Sequence, residues 1–263
     1  MLVVQIAVYG LGFYLLCLLF FYVFQDSFIF FPPAKQHGPV ENEAVKTYSF
    51  EHEGITLRGW LVNPEKAGER FLVYFGGNAE DVSLTMDDFI EVDCASLFIA
   101  YRGYGESEGK PGENALYYDG LALVEDVRRR FSPKKLVLLG RSLGSSVACK
   151  IAAETEVDGL ILVTPFDSVK NLGASRYPWL PVASLLKHRF DSTLSAPKVK
   201  CPTLVLYGGA DSVVPPVHSR RLLEYFNVQP QVVYVERATH GDIELFPEYW
   251  PALLSFILVP EVE

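Results

Sequence analysis

The apolar positions of this chain fall into two different patterns. Residues 2–24 contain no charged side chain, whereas from Val45 onward short apolar runs alternate with segments of helical periodicity. An uncharged helix of this length, at about 1.5 Å per residue, spans roughly 34 Å and can cross the hydrocarbon core of a bilayer. The first pattern therefore predicts a transmembrane helix, and the second predicts a folded α/β domain.

The N-terminal run is too long for the apolar core of a signal peptide. No Lys or Arg precedes it and no Ala-x-Ala-like site follows it, so we expect residues 2–24 to remain in the lipid bilayer. Aromatic residues and Pro32-Pro33 come next, as expected for a membrane interface. The predicted organisation is a transmembrane signal anchor at 1–26, an interfacial neck at 27–44 and a folded domain at 45–263.

The pattern after Val45 predicts an antiparallel hairpin followed by strands that alternate with helices. This order is typical of a mostly parallel sheet with helices on both faces. Ligands of such sheets bind beyond the carboxyl ends of the strands. The predicted strands are 47–52, 55–62, 70–75, 95–100, 135–139, 158–163, 203–207 and 231–235, and the predicted helices are 80–92, 114–131, 145–154, 216–226 and 249–258.

One segment interrupts the alternation. Residues 165–200 are rich in proline and aromatic side chains and are longer than a usual connection between a strand and a helix. They are too short to form a domain of their own. We predict a lid-like insertion here.

Composition limits the partners. The chain has 263 residues and a formal net charge of −9, which argues against nucleic acid as a partner. Its four cysteines have wide, unrelated spacings that predict reduced packing residues and neither disulfides nor a zinc site. We expect no metal or organic cofactor.

The segment Gly140-Arg141-Ser142-Leu143-Gly144 directly follows a predicted strand and opens a predicted helix. This context is typical of a nucleophilic serine, because the glycines allow the backbone to turn sharply and expose the hydroxyl. A second Gly-x-Ser-x-Gly match surrounds Ser107, but Lys110-Pro111-Gly112 follows it and cannot open a helix at once. Carboxylates flank Ser107 and would oppose a negative charge there. We interpret Ser107 as a loop serine.

A serine hydroxyl becomes a strong nucleophile only when a base removes its proton and a third group orients that base. Histidine is the side chain that exchanges a proton most readily near neutral pH. His240 and Asp211 each follow a late strand, and the order Ser142, Asp211, His240 is that of α/β hydrolases. Asp167 follows another strand and is the alternative acid, although it could instead cap a lid helix.

Negative charge develops on the carbonyl oxygen of an acyl substrate, so two backbone N–H groups should face it. Leu143, directly after the serine, supplies one of them. The turn Gly76-Gly77-Asn78-Ala79, between a strand and a helix, is the natural source of the second. We nominate the amide of Asn78, with that of Ala79 as the alternative.

Several further motifs accompany this constellation. They are Phe30-Phe31-Pro32, Gly76-Gly77-Asn78-Ala79, Tyr101-Arg102-Gly103-Tyr104-Gly105-Glu106-Ser107-Glu108-Gly109-Lys110-Pro111, Thr164-Pro165-Phe166-Asp167-Ser168, Gly209-Ala210-Asp211-Ser212-Val213-Val214-Pro215 and Thr239-His240-Gly241-Asp242. Together they resemble the BEM46-like branch of the α/β-hydrolase superfamily, membrane-anchored serine hydrolases that include the ABHD13 and ABHD17 types.

The resemblance implies Ser142 as nucleophile, Asp211 as acid, His240 as base, and Asn78 and Leu143 as oxyanion donors. One position departs from the family, which usually has His-Gly-Asn where this chain has Gly76-Gly77-Asn78. A brace that the histidine would give the oxyanion loop is therefore absent.

The expected protein is a membrane-anchored serine hydrolase with an α/β-hydrolase fold. It would cleave carboxylic ester or thioester bonds of lipid or acylated substrates through an acyl-serine intermediate. The alternatives are a serine peptidase of the same fold and a non-catalytic membrane scaffold that retains it. The resemblance favours an extracytoplasmic catalytic domain, while the few flanking charges leave the side of the membrane open.

Overall fold

The computed structural model describes residues 1–33 and 41–258. Residues 34–40 of the predicted neck and the last five residues of the predicted catalytic domain lie outside the described residues. The chain begins with the helix α1 (Leu2–Ile29), which is long and apolar enough to cross a membrane. An eight-stranded sheet flanked by helices follows it.

The sheet is mixed, with two antiparallel strands at one side. Its spatial order is β1-β2-β4-β3-β5-β6-β7-β8; β1 and β2 are antiparallel to their neighbours, and the strands from β4 to β8 are mutually parallel. The predicted hairpin and the mostly parallel sheet are confirmed. The strands are β1 (Val45–His52), β2 (Ile55–Val62), β3 (Arg70–Phe75), β4 (Ala95–Ile99), β5 (Lys135–Arg141), β6 (Gly159–Val163), β7 (Thr203–Gly208) and β8 (Gln231–Val235).

The helices agree with the sequence pattern except at one place. They are α2 (Val82–Thr85), α3 (Glu113–Phe131), α4 (Leu143–Glu154), α5 (Val169–Arg176), α6 (Val182–Leu185), α7 (Pro216–Leu223) and α8 (Tyr249–Leu258). The helix predicted at 80–92 is wrong: α2 is a single turn, followed by the 3-10 turn Met86–Phe89. Buried Val82, Met86 and Phe89 have helical spacing, but they pack two successive short turns against the sheet.

The side chains of the central strands alternate between two apolar layers. On β3, Phe71 and Phe75 pack in the layer that contains α3 and α4, whereas Leu72 and Tyr74 pack in the layer that contains α8. Full burial of such a side chain contributes about 1.5–3 kcal/mol to folding. The two layers therefore hold the carboxyl ends of the parallel strands as a rigid platform for the loops that follow them.

The last turns of α1 are joined to the lid-like segment. Gln25 is buried, and its Nε2 donates to the carbonyl of Leu185 at 3.1 Å while its Oε1 accepts from the Lys187 amide at 2.7 Å. Phe30, just beyond the helix, is buried in the domain core. The C-terminal end of α1 is thus part of the folded unit.

Candidate active site

Ser142 occupies a sharp turn between β5 and α4. Its φ angle is +49°, a value that residues other than glycine rarely adopt. Its amide donates to the Val163 carbonyl at 2.9 Å, and its carbonyl accepts from both the amide and the hydroxyl of Ser145 at 2.9 and 2.6 Å. These bonds hold the strained backbone in place at the carboxyl end of β5.

The turn depends on close backbone approach at two glycines. A Cβ atom on Gly144 would lie 1.9 Å from the carbonyl oxygen of Phe75 at the end of β3. A Cβ atom on Gly140 would lie 2.2 Å from the carbonyl oxygen of Gly144. No side chain fits at either position, so both flanking glycines of the motif have a steric role.

The structure brings Ser142, His240 and Asp211 into one hydrogen-bonded chain. Nε2 of His240 lies 3.0 Å from Oγ of Ser142, and Nδ1 of His240 lies 2.7 Å from Oδ2 of Asp211. Because a carboxylate only accepts, Nδ1 carries the proton and leaves Nε2 as the acceptor for the serine hydroxyl. The buried Asp211 carboxylate is oriented through its Oδ1, which accepts from the amides of Val213 and Val214 at 2.9 and 2.8 Å.

Arg141 supports the loop that carries His240. Its guanidinium donates to the His240 carbonyl at 3.3 Å and lies 3.4 Å from a carboxylate oxygen of Glu244. Burial acts to lower the pKa of Arg141, but the electrostatic influence of Tyr74, Glu80 and Glu244 outweighs it and raises the pKa above its ordinary value. The side chain is therefore a permanent cation beneath the site.

Asp167, the alternative acid, lies in a different network. Its Oδ1 is 2.8 Å from Nδ1 of His218, and its Oδ2 accepts from Asn171 at 2.7 Å and Arg221 at 3.1 Å. Nε2 of His218 in turn lies 3.3 Å from the hydroxyl of Ser175. The buried Asp167 carboxylate thereby ties α5 of the lid-like segment to α7.

Ser107 is also placed away from a nucleophile's environment. It is buried, its hydroxyl donates to the Ala100 carbonyl at 2.8 Å, and it accepts from the Arg58 amide at 2.8 Å. These bonds connect the loop to β2 and to the residue that directly follows β4. The hydroxyl therefore holds the loop in place through hydrogen bonds.

The loop after β3 lies beside Ser142 and is braced by Glu80. A Cβ atom on Gly77 would lie 3.6 Å from the Cβ of Ser142, and the Gly77 amide donates to Oε2 of Glu80 at 2.5 Å. Oε1 of Glu80 accepts from the hydroxyls of Tyr74 and Thr85 at 2.6 and 2.8 Å. Glu80 thus holds the loop in a chain that lacks the family histidine.

The sequence reasoning missed Glu80, although a signal was present. A glutamate three residues after a turn residue is the spacing of a capping box, in which the carboxylate reaches back to a free amide. Because the Gly77 amide is already paired with Glu80, the amides of Asn78 and Ala79 stay the predicted candidates for the second oxyanion donor.

The side chain of Asn78 links this loop to the end of α1. Its Nδ2 donates to the Ile29 carbonyl at 2.6 Å, and its Oδ1 accepts from the Phe31 amide at 3.0 Å and the Tyr104 hydroxyl at 2.8 Å. Both polar atoms of the side chain therefore have hydrogen-bond partners and position the loop. The oxyanion role predicted for Asn78 would therefore fall to its backbone N–H, and the amide of Ala79 stays the alternative.

Residues 75–195 match a family described as serine aminopeptidase S33, within the α/β hydrolases. The Mycobacterium tuberculosis protein Rv2307c is 31% identical over 87% of this chain and 84% of its own length. The chain belongs to the α/β-hydrolase family. The Saccharomyces cerevisiae membrane protein YNL320W is 31% identical over 78% of this chain and 76% of its own length. Alpha/beta hydrolase domain-containing protein 17C of Xenopus tropicalis is 29% identical over 84% of this chain and 73% of its own length, which agrees with the predicted ABHD17-type branch.

Solved structures show the same fold. An esterase of Pyrococcus furiosus, PF2001, superposes with a TM-score of 0.68 at 19% identity, covering 86% of this chain and 97% of its own. An α/β hydrolase of Vibrio vulnificus gives a TM-score of 0.68 at 18% identity, covering 82% of each chain. This α/β hydrolase thus has the fold of esterases, and its apolar N-terminal helix together with the yeast membrane relative supports membrane association.

We expect Gly144→Ala to destabilise the protein by at least about 3 kcal/mol, the upper end of overpacking penalties, because the new methyl group collides with the end of β3. Thermal unfolding of the detergent-solubilised protein measures the effect. Gly68→Ala is the control, since a Cβ atom there meets nothing within 4 Å. Equal midpoints for the two variants would contradict the steric role of Gly144.

Asp167→Asn tests the second network through pH. Burial acts to raise the pKa of Asp167, but hydrogen bonds from Asn171, His218 and Ser168 outweigh it and lower the pKa below its usual range. In the unfolded chain, the pKa of an aspartic acid side chain is about 3.9. The stability that this carboxylate contributes is therefore complete above about pH 4 and is lost as pH falls further, through the folded-state pKa.

In Asp167→Asn, the free energy of unfolding at neutral pH should be lower than in the wild type by about 1.5–3 kcal/mol. As pH is lowered below about 4, the stability of the variant should fall less steeply than that of the wild type. Asp87→Asn, at an exposed position, is the control and should keep the wild-type profile. A wild-type acid profile in Asp167→Asn would refute the assignment.

Proposed function

We propose that this α/β hydrolase is a membrane-anchored serine hydrolase that cleaves carboxylic ester or thioester bonds. The observation that carries the proposal is the hydrogen-bonded chain from Asp211 through His240 to Ser142. The strained turn at Ser142, the order Ser142, Asp211, His240 along the chain and the buried Asp211 carboxylate all fit nucleophilic catalysis by serine.

In the proposed reaction, Ser142 Oγ attacks the carbonyl carbon of the substrate while His240 Nε2 takes the hydroxyl proton. The tetrahedral oxyanion is bound by the backbone amides of Leu143 and Asn78. When the bond to the leaving group breaks, His240 gives the proton to the departing alcohol or thiol. Water, deprotonated by His240, then releases the acid and restores Ser142.

Asp211 has an orienting and electrostatic role in this scheme. Its carboxylate holds the proton on Nδ1 and stabilises the imidazolium that forms after proton transfer. Glu80 is a positioning residue, because it acts on the substrate only through the loop that presents the Asn78 amide. The scheme uses no metal or organic cofactor.

The membrane anchor is part of the proposal. The length and composition of α1 fit a bilayer, and a yeast relative is described as a membrane protein. An enzyme held at a bilayer meets substrates that partition into it, which supports lipid or acylated molecules as the substrate class.

Activity-based labelling tests the nucleophile. A fluorophosphonate probe should modify the wild-type protein and fail to modify Ser142→Ala, because only an activated serine displaces the fluoride. Ser107→Ala is the matched control, since it changes the serine of the other Gly-x-Ser-x-Gly segment. Labelling of Ser142→Ala at the wild-type level would refute the assignment, and absence of labelling in the wild-type protein would favour a non-catalytic scaffold.

Asp211→Asn should lower kcat on a p-nitrophenyl ester by about 10³–10⁴-fold, because an amide stabilises the wrong histidine tautomer. Asp167→Asn is the matched control at a second buried Asp–His pair and should keep kcat within about threefold, a change of under 1 kcal/mol in the barrier. If the two variants were equally impaired at a temperature where both are folded, the acid assignment would be wrong. Turnover of p-nitroanilides at rates similar to esters would favour the peptidase alternative.

A further inference from the structure

An apolar cavity of about 420 Å³ lies between the end of α1 and the lid-like segment. Its size falls within the range of sites for small molecules. One wall comes from α1 and the residues just after it, and the other comes from α5, α6 and the adjoining loops. The α1 wall includes Phe21, Phe28, Ile29 and Phe31, and the lid wall includes Val169 and Leu186.

The cavity adjoins the loop that carries Asn78. Two of its lining residues, Ile29 and Phe31, are hydrogen-bonded through their backbones to the Asn78 side chain at 2.6 and 3.0 Å. Gly77, the residue before Asn78, lies beside Ser142, so Asn78 and Gly77 connect the cavity wall to the candidate nucleophile. Among the described residues, none that lines the cavity belongs to the His240 loop.

The two walls are held together by specific contacts. Gln25 lines the cavity, and its side-chain amide forms hydrogen bonds with backbone groups of Tyr22, Leu185 and Lys187. Asp26 pairs with His188 at 3.1 Å. With these polar groups engaged, the lining offers mainly apolar surface to a ligand.

We propose that this cavity binds the acyl chain of the substrate and that the membrane helix α1 forms one of its walls. The assignment rests on the proposed serine hydrolase function. His240 would protonate the leaving group, so the leaving group faces the His240 loop and the acid half of the ester extends toward Asn78. Phe28, at 49% exposure, lies in the last turn of α1, and in this proposal the acyl chain enters the cavity past it from the membrane interface.

The proposal predicts selectivity for the acid half of an ester. In full-length protein reconstituted in phosphatidylcholine nanodiscs, kcat/KM for p-nitrophenyl esters should rise about threefold to fourfold for each methylene that the cavity accommodates beyond butanoate. Acetate esters of butanol to decanol, followed by acid release, should show no such gain. A gain on the alcohol side alone, or on neither side, would overturn the proposal.

A matched pair of lid variants tests the location. Leu186→Trp fills the cavity and should lower the ratio of decanoate to butanoate kcat/KM by about tenfold or more, the equivalent of about two methylenes. Leu194→Trp lies in the same segment, is 68% exposed and does not line this cavity, so its ratio should equal that of the wild type. Partition of the long ester into the nanodisc changes the decanoate-to-butanoate ratio equally in the wild type and in both variants. A difference in the ratio between the variants therefore reports on the cavity.

A second pair tests the contribution of α1 and remains informative if Leu186→Trp does not fold. Phe28→Ala enlarges the cavity and should shift the preferred acyl chain to a greater length, whereas Phe24→Ala, on the same helix and outside the cavity lining, should not. Equal chain-length profiles for the two α1 variants would overturn the role of α1.

The two proposals fail in different ways. Hydrolysis of p-nitrophenyl butanoate that persists in Ser142→Ala would contradict the proposed function itself. Butanoate hydrolysis that depends on Ser142 but shows no dependence on acyl length would leave the proposed function intact and overturn only the acyl cavity.

Discussion

The contact between the start of α4 and the end of β3 is the constraint on which the site depends. Because the Gly144 backbone lies directly against the Phe75 carbonyl, the chain must turn sharply after β5. That turn forces Ser142 to a positive φ angle and places it beside the loop that follows β3. The candidate nucleophile and the candidate oxyanion loop are thus brought together by backbone packing, independently of the hydrogen bonds among Ser142, His240 and Asp211.

Much of this fold could be predicted because its strands are short, apolar and bounded by turn residues. Ser142, Asp211 and His240 could be nominated because each follows such a strand, and parallel strands end at one edge of the sheet. Local spacing misled the prediction at 80–92, where Val82, Met86 and Phe89 mimic one helix. The contacts of Gln25 and Asn78 could not be predicted, since they join segments remote in sequence through backbone carbonyls and amides.

Two Asp–His pairs show why residue types alone do not identify a site. Asp211–His240 and Asp167–His218 have nearly the same separation, at 2.7 and 2.8 Å. The His218 side chain is 3% exposed, and the Asp167 carboxylate that it contacts also pairs with Arg221. The His240 side chain is 20% exposed and contacts Ser142. Surroundings therefore separate a structural clamp from a candidate general base.

The Asn78 side chain has a consequence for how the protein is handled. Its Nδ2 donates to the Ile29 carbonyl, and its Oδ1 accepts from the Phe31 amide, both at the C-terminal end of α1. Oδ1 also accepts from the Tyr104 hydroxyl. A fragment that begins at residue 34 would remove both backbone partners, leaving Nδ2 to water and Oδ1 with Tyr104 alone, in a loop that lies beside Ser142. Removing the apolar helix would thus change the contacts of the candidate site as well as the protein's association with a membrane.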